Sequence, residues 1–408
     1  MRVDLLTREY PPNIYGGAGV HVNELARVLR PMVDLRVHTF DGPRTPGEPG
    51  GEDGVTGYSY LPELEGANSA LRTFGVDLQM ASGVKGTDLV HSHTWYANLG
   101  GHLGKLLHEV PHVISAHSLE PLRPWKAEQL GGGYNLSSWA EKTAYEAADG
   151  IIAVSNGMRA DILRSYPNID PDRVHVIHNG IDLGEWAKPK TEEEKEAARQ
   201  TLERLGIDPS IPTVVFVGRI TRQKGLPHLL RALRDIPKDA QIVLCAGAPD
   251  TPEIMNEVTG LVDELRAERD RVFFITDMLP RAELVAILDA ATVFVTPSIY
   301  EPLGIVNLEA MAVNLPVVGT ATGGIPDVIV DGETGYLVPI EQKQDGTGTP
   351  LNPKQFHADL AERLTKLLEN PELAAKMGQA GRRRAEEQFA WTTIGERTVE
   401  LYKKILQG

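Results

Sequence analysis

Two α/β units, each a parallel β-sheet wound on both faces by helices, are what the sequence predicts, and three observations predict them. The chain has 408 residues, twice or more the usual single-domain length. Its first half alternates short β-branched runs with amphipathic stretches, the pattern of strand–helix–strand crossovers. That rhythm lapses after Asp182 and then restarts, which puts a boundary near residue 183.

The elements follow in order from the spacing of apolar residues. In the first half Arg2–Leu6, Val33–Thr39, Asp88–His91, His112–Ala116, Gly150–Val154 and Arg173–Ile177 read as strands. Between them Val20–Leu29, Leu99–His108, Ser137–Ala148 and Asn156–Ser165 carry the three-to-four spacing of helices. Lys188–Ala198, crowded with Lys and Glu, reads as a solvated helix or linker. In the second half Thr213–Val217, Gln241–Ala246, Arg271–Ile275, Thr292–Thr296 and Pro316–Gly319 read as strands with helices between. From about Pro353 the chain is helical, with apolar stripes along Leu360–Leu368, Leu373–Ala385 and Ile394–Ile405, and Trp391 just ahead of the last. The Gly/Thr-rich loop Asp345–Pro350 reads as flexible. Two sheets of similar size would form a deep cleft between their strand carboxyl ends, where open α/β sheets bind ligands.

Composition narrows the function. Apolar residues at 41% and charged residues at 24% exclude a disordered or fibrous chain. With 56 acidic against 41 basic side chains the net charge is −15, which speaks against broad nucleic-acid binding. An anionic ligand would then need cations gathered in one place. The single cysteine, Cys245, cannot close an internal disulfide, so a reducing, cytoplasmic compartment is expected. Asp4, Arg8 and Glu9 interrupt the amino terminus, so no signal-peptide core is expected there. No apolar run reaches the length of a membrane span. No internal repeat appears.

Four groups of residues could carry chemistry. Gly16-Gly17-Ala18-Gly19 follows the first strand and opens a helix, where backbone N–H groups can meet an anion; a tight turn without ligand explains the run equally well. The spacing does not fit a dinucleotide fingerprint, and no acidic residue closes the second strand. Val217-Gly218-Arg219 ends a strand and Gln223-Lys224-Gly225 follows, so Arg219 and Lys224 place two cations five residues apart where a diphosphate would sit. Glu301-Pro302-Leu303-Gly304-Ile305 precedes an apolar helix, with Glu309 eight positions after Glu301. Its free N–H groups suit an anion, and its ionised carboxylates accept from sugar hydroxyls. His117 follows a strand, with Ser118, Arg123, Trp125 and Lys126 beyond it. His91 and His93 have no third metal ligand at suitable spacing, so no metal is expected. Asp170-Pro171-Asp172 spells a D-x-D motif but reads better as a turn.

In this order the pieces resemble the retaining glycosyltransferases of the GT-B fold, over essentially the whole chain. Thr7–Pro12, Tyr15–Val22, His91–Tyr96, Ala116–Lys126 and Gly131–Tyr134 resemble the short actinobacterial glycogen synthases. That group makes α-maltose 1-phosphate from ADP-glucose and α-glucose 1-phosphate, with glucan elongation as its other proposed activity. Both feed α-glucan and glycogen synthesis. The larger glycogen and starch synthases carry a lysine where this chain has Tyr15, which favours the phosphate-acceptor group.

The resemblance implies two Rossmann-like domains. Residues 1–183, completed by a crossover helix in 389–408, would bind acceptor, and 184–388 the nucleotide sugar. Domain closure would hinge near residues 183 and 388. Arg219 and Lys224 would neutralise the donor diphosphate without a metal, helped by the Leu303-Gly304-Ile305 backbone. Glu309 would hold the ribose and Glu301 the sugar hydroxyls; His117 would sit beside the glucose, and Gly16 and Gly17 would let the first domain approach the phosphates. For an acceptor phosphate the candidates are Arg8, Arg123 and Lys126, with Ser118 and Tyr134 as neutral donors. No cofactor is implied. A glucan synthase, an epimerase or hydrolase of the same fold, and a sugar-nucleotide sensor are the competing readings. The nucleotide base and the oligomeric state, a homodimer among the options, stay open.

Overall fold

The computed structural model describes residues 1–48, 50–122, 131–343 and 347–408. The chain forms two compact units, one of Met1–Gly180 with Trp391–Gly408, the other of Ile181–Ala390.

Unit 1 runs β1 (Arg2–Thr7), α1 (Gly17–Leu29), β2 (Asp34–Thr39), β3 (Val55–Gly57), α2 (Ser69–Gly83), β4 (Leu89–His93) and α3 (Trp95–His108). It continues with β5 (His112–Ala116), α4 (Gly133–Ala147), β6 (Gly150–Ala153), α5 (Asn156–Ser165) and β7 (Val174–Val176). Its parallel sheet is ordered β3-β2-β1-β4-β5-β6-β7. Strand side chains alternate between two cores, as a sheet covered on both faces requires. Val3 and Leu5 pack with Val22 and Leu25 of α1, while Leu6 and Val90 pack with Val76 and Met80 of α2.

Unit 2 contains α6 (Glu192–Leu205), β8 (Thr213–Arg219), α7 (Leu226–Ala232), β9 (Gln241–Gly247), α8 (Pro252–Glu268), β10 (Val272–Ile275), α9 (Arg281–Ala290) and β11 (Val293–Thr296). Then come α10 (Ile305–Ala312), β12 (Val317–Thr320), α11 (Ile325–Val328), β13 (Gly335–Val338), α12 (Pro353–Leu368) and α13 (Pro371–Gln388). Its parallel sheet is ordered β10-β9-β8-β11-β12-β13. The chain then returns to unit 1 as α14 (Trp391–Leu406), whose Trp391, Ile394 and Tyr402 join the α1 core.

The Lys/Glu-rich stretch is a helix, started by a capping box between Thr191 and Glu194. Asp170 caps a short turn by accepting from the Asp172 N–H, the turn chemistry its sequence suggests. Three elements were not announced by periodicity. β3 and β13 are only three and four residues long. The buried face of α2 includes Thr73, Gly75 and Asp77, which blur its apolar stripe. The Gly/Thr-rich loop lies partly outside the described residues; of its described part, Thr349 O accepts from Lys343 N and Gly348 O from Gln342. Among the described residues no helix is long and apolar enough to cross a membrane.

Candidate functional site

Each sheet has one place where the chain winds away to both sides, between β1 and β4 in unit 1 and between β8 and β11 in unit 2. Ligands of open α/β sheets bind outside the strand carboxyl ends at such a switch point. Among the described candidates, Arg8, Gly16 and Gly17 follow β1, Arg219 and Lys224 end and follow β8, and Glu301 follows β11.

In unit 2, Arg219 closes β8 and Lys224 lies on the turn that follows. Both already hold a carboxylate. Arg219 donates to Asp250 at 2.6 Å with both groups at least half exposed, a pair worth little in water. Lys224 Nζ donates to Glu301 Oε2 at 2.6 Å, with side chains only 23% and 8% exposed. Ser298 also donates to that oxygen, so Glu301 is held rather than free to swing. Beyond it Leu303 is buried and Gly304 starts α10 with φ +90°, a conformation costly for any residue with a Cβ. The first N–H groups of α10, from Ile305 onward, thus open beside the Lys224–Glu301 pair.

Sequence reasoning missed the floor under this loop. At Gly323 a Cβ would stand 1.9 Å from the Glu301 carbonyl oxygen, and Gly324 N–H donates to that same oxygen at 2.8 Å. The Gly-Gly pair after β12 was the available signal.

Glu309, one turn into α10, has its carboxyl pushed from its ordinary 4.5 up to about 7 by burial, which outweighs the pull of Arg281 and Lys224. A folded-state pKa raised above the unfolded value gives stability that is complete below about 4.5 and lost as pH rises through about 7. The loss is on the order of 3 kcal/mol. Glu309→Gln is therefore expected to melt several degrees higher than wild type at pH 8 and nearly level with it at pH 5, read by thermal melts. Equal melting at both values would refute a strained carboxylate.

In unit 1 the glycine turn already hosts an anion of the protein. Glu9 Oε2 accepts from the N–H groups of Tyr15 and Gly16 at 2.9 and 2.8 Å. Space remains on the Gly17 side, where a Cβ would meet nothing within 4 Å.

Arg8 follows β1 and lies 4.1 Å over the Tyr96 ring, and Arg72 of α2 lies 4.3 Å over the Tyr60 ring. These four residues, with Ser69, Thr73 and Trp95, line a cavity of about 250 Å³. Two donors on its walls, Arg72 Nε and Trp95 Nε1, are buried without a hydrogen-bond partner. Buried donors are seldom left so, and here they define a recess suited to an anionic or hydroxyl-rich ligand. Of the acceptor candidates among the described residues, Arg8 alone lies in it. Arg123 and Lys126 lie outside the described residues. The Tyr134 hydroxyl donates to the Glu120 carbonyl at 2.8 Å, and Ser118 is half-buried next to His117.

His117 stands just beyond β5, its Nε2 3.0 Å from Nδ1 of His93. Burial pushes its pKa down to about 4, so at neutral pH it is an uncharged imidazole, able to orient a hydroxyl but not to deliver a proton as an acid. No third ligand stands near His91 and His93 in sequence, yet the fold brings His21 of α1 and His117 beside His93. One ring nitrogen of each lies within 4.8 Å of the others.

The chain matches two family models, Glycosyltransferase Family 4 over residues 15–185 and Glycosyl transferases group 1 over residues 198–384. It is 52% identical over 407 residues to a protein of Mycolicibacterium smegmatis named α-maltose-1-phosphate synthase, covering 99% of this chain and 100% of that one. Among solved structures, sucrose-phosphate synthase from Thermosynechococcus elongatus superposes with a TM-score of 0.72 at 23% identity, covering 100% of this chain and 99% of that one. The catalytic domain of starch synthase IV from Arabidopsis thaliana, bound to ADP and acarbose, also gives 0.72 at 18% identity, with the same coverage. At such identities these structures establish the fold, the GT-B arrangement of two parallel-sheet domains. With the near-complete match at 52% identity, the chain belongs to the GT-B glycosyltransferase family that includes the α-maltose-1-phosphate synthases.

Proposed function

We propose that the protein transfers glucose, with retention of configuration, from ADP-glucose to α-glucose 1-phosphate, giving α-maltose 1-phosphate. The observation that carries the reading is the full-length relationship to a protein of that name. The Arg8–Arg72 recess supplies a chemical reason for a phosphorylated acceptor: two guanidiniums for the phosphate, each held against a tyrosine ring.

On this reading Arg219 and Lys224 exchange part of their hold on Asp250 and Glu301 for the diphosphate and stabilise the charge that grows as the sugar–phosphate bond breaks. The α10 N–H groups of Gly304 and Ile305 add to that cradle. Glu301, fixed by Lys224 and Ser298, accepts from donor-sugar hydroxyls, Glu309 accepts from the ribose, and neutral His117 orients a glucose hydroxyl. Gly17 admits phosphate oxygens beside the Glu9-occupied part of its turn. The acceptor hydroxyl attacks on the face the diphosphate leaves, and a diphosphate oxygen takes its proton. The protein supplies position and electrostatics, with no protein nucleophile.

Incubation with ADP-glucose and either α-glucose 1-phosphate or glycogen, with products identified by mass spectrometry, tests this directly. A hexose disaccharide phosphate from the first acceptor is expected. Labelled glucose entering glycogen alone would replace the reading by glucan synthesis.

A further inference from the structure

We infer that His21, His93 and His117 form a binding site for a zinc-class divalent metal, and that occupation of this site silences the enzyme by capturing His117. The site itself rests only on unit 1; the silencing rests on the proposed transferase reading.

Three elements build the cluster. His93 is the last residue of β4 and pairs in register with neighbouring β5, so that it lies opposite Ser115, two residues before His117. His21 comes from α1 above them. The ring centroids are 4.7 Å apart for His21–His117, 5.4 Å for His93–His117 and 5.6 Å for His21–His93. Three imidazoles on one tetrahedral zinc, with bonds of about 2.0–2.1 Å, have ring centres roughly 5 Å apart. The ring positions are therefore nearly those of a tri-histidine site before any metal arrives.

One nitrogen pair agrees, and one nitrogen of each of the three rings lies within 4.8 Å of the others. Nδ1 of His93 and Nε2 of His117 are 3.0 Å apart, against roughly 3.3 Å for neighbouring nitrogens on tetrahedral zinc. A metal would replace that shared hydrogen bond by rotating the rings slightly and resetting their tautomers, with no loss of charge. Nε2 of His93 is buried without a partner, which is unusual for a buried polar atom, and the His21 ring lies against the Asn179 side chain. Nearby His91 is different: its two nitrogens bond Tyr402 and Ser115, which takes it out of the ligand set.

Ligand type selects the ion. Three neutral imidazoles, with no carboxylate or thiolate among them, suit Zn²⁺, Co²⁺, Ni²⁺ or Cu²⁺ and not Mg²⁺ or Ca²⁺. Metal binds the neutral form of each ring. His117 is the least buried of the three, so a fourth position opens on its side. The outer Nε2 of His93 lacks the supporting hydrogen bond of high-affinity sites, so binding is expected to be micromolar and reversible.

The test uses the full chain after chelator treatment. Co²⁺ titration should give one ion per chain with the intense visible absorption of a tetrahedral site, displaced by Zn²⁺ and unaffected by millimolar Mg²⁺. His21→Gln, His93→Gln and His117→Gln should each abolish that absorption. Variants that melt cooperatively serve as the folded comparators, and half-buried His117 makes His117→Gln the one least dependent on core packing. In wild type, formation of sugar product should fall with the same Zn²⁺ midpoint and return with EDTA. A weak octahedral Co²⁺ spectrum, or tetrahedral absorption surviving in all three variants, would overturn the site and leave water as the occupant of the cluster. Tetrahedral absorption without sugar transfer in any metal state would leave the site standing and overturn the transferase reading; sugar transfer untouched by saturating Zn²⁺ would overturn the silencing.

Discussion

Lys224→Ala is expected to lower kcat by about a thousandfold and Arg219→Ala by about a hundredfold, within the range seen when a single oxyanion donor is removed. The order follows from exposure. Lys224 is mostly covered and fixed by Glu301, whereas Arg219 is 64% exposed and tied to a half-exposed Asp250. A preorganised cation in a drier place stabilises a departing diphosphate more than one that water already screens. Removing Lys224 also strands the nearly buried Glu301 carboxylate, so Lys224→Ala should lose stability as well as rate. The double change Lys224→Ala with Glu301→Gln separates the two effects: its melting temperature should recover toward wild type while kcat stays low. Steady-state kinetics and melts on the same preparations read both, and near-normal turnover in Lys224→Ala would remove the lysine from the mechanism.

The donor-side candidates were legible because their carriers are local. Arg219 and Lys224 sit five residues apart at one strand end, and Glu301, Gly304 and Glu309 share one loop and helix start, so strand–turn–helix rhythm alone puts them together. Their partners were not legible. Asp250 reaches Arg219 across 31 positions and Lys224 reaches Glu301 across 77, and spacing along a chain says nothing about such pairs. Glu9 hid in the same way, since nothing in a glycine run tells that the protein's own carboxylate occupies its N–H groups. In unit 1 the difficulty is greater. The Arg8–Arg72 recess draws on the ends of β1 and β4, on the loop holding Tyr60, and on a helix whose stripe is broken by Thr73 and Asp77. Without α2 in view, Arg72 had no address. The histidine cluster needs α1 and two adjacent strands, which is why counting ligand spacing failed to find its third member.

Arg72 is accordingly the position at which acceptor recognition is most exposed to test. Its guanidinium spans the Tyr60 face while its Nε–H has no protein acceptor, so a phosphate oxygen would satisfy a donor that the fold leaves open. A charge-assisted hydrogen bond of that kind contributes about 1.5–3 kcal/mol, equivalent to roughly a 10- to 100-fold rise in the α-glucose 1-phosphate KM when Arg72 becomes Gln. The donor KM should stay within about twofold, because none of the residues assigned to the donor, in unit 2 or at Gly16, Gly17 and His117 of unit 1, lines this recess. Arg72→Lys should recover only part of the affinity, since an ammonium keeps the charge but loses the planar fork that stacks on Tyr60. Rising salt should raise the wild-type acceptor KM and affect Arg72→Gln less, because one screened charge pair has gone. The same measurement on Arg8→Gln asks whether both guanidiniums grip the phosphate. Similar rises in acceptor KM would place it between them. An unchanged acceptor KM in both variants would move phosphate recognition out of this recess altogether.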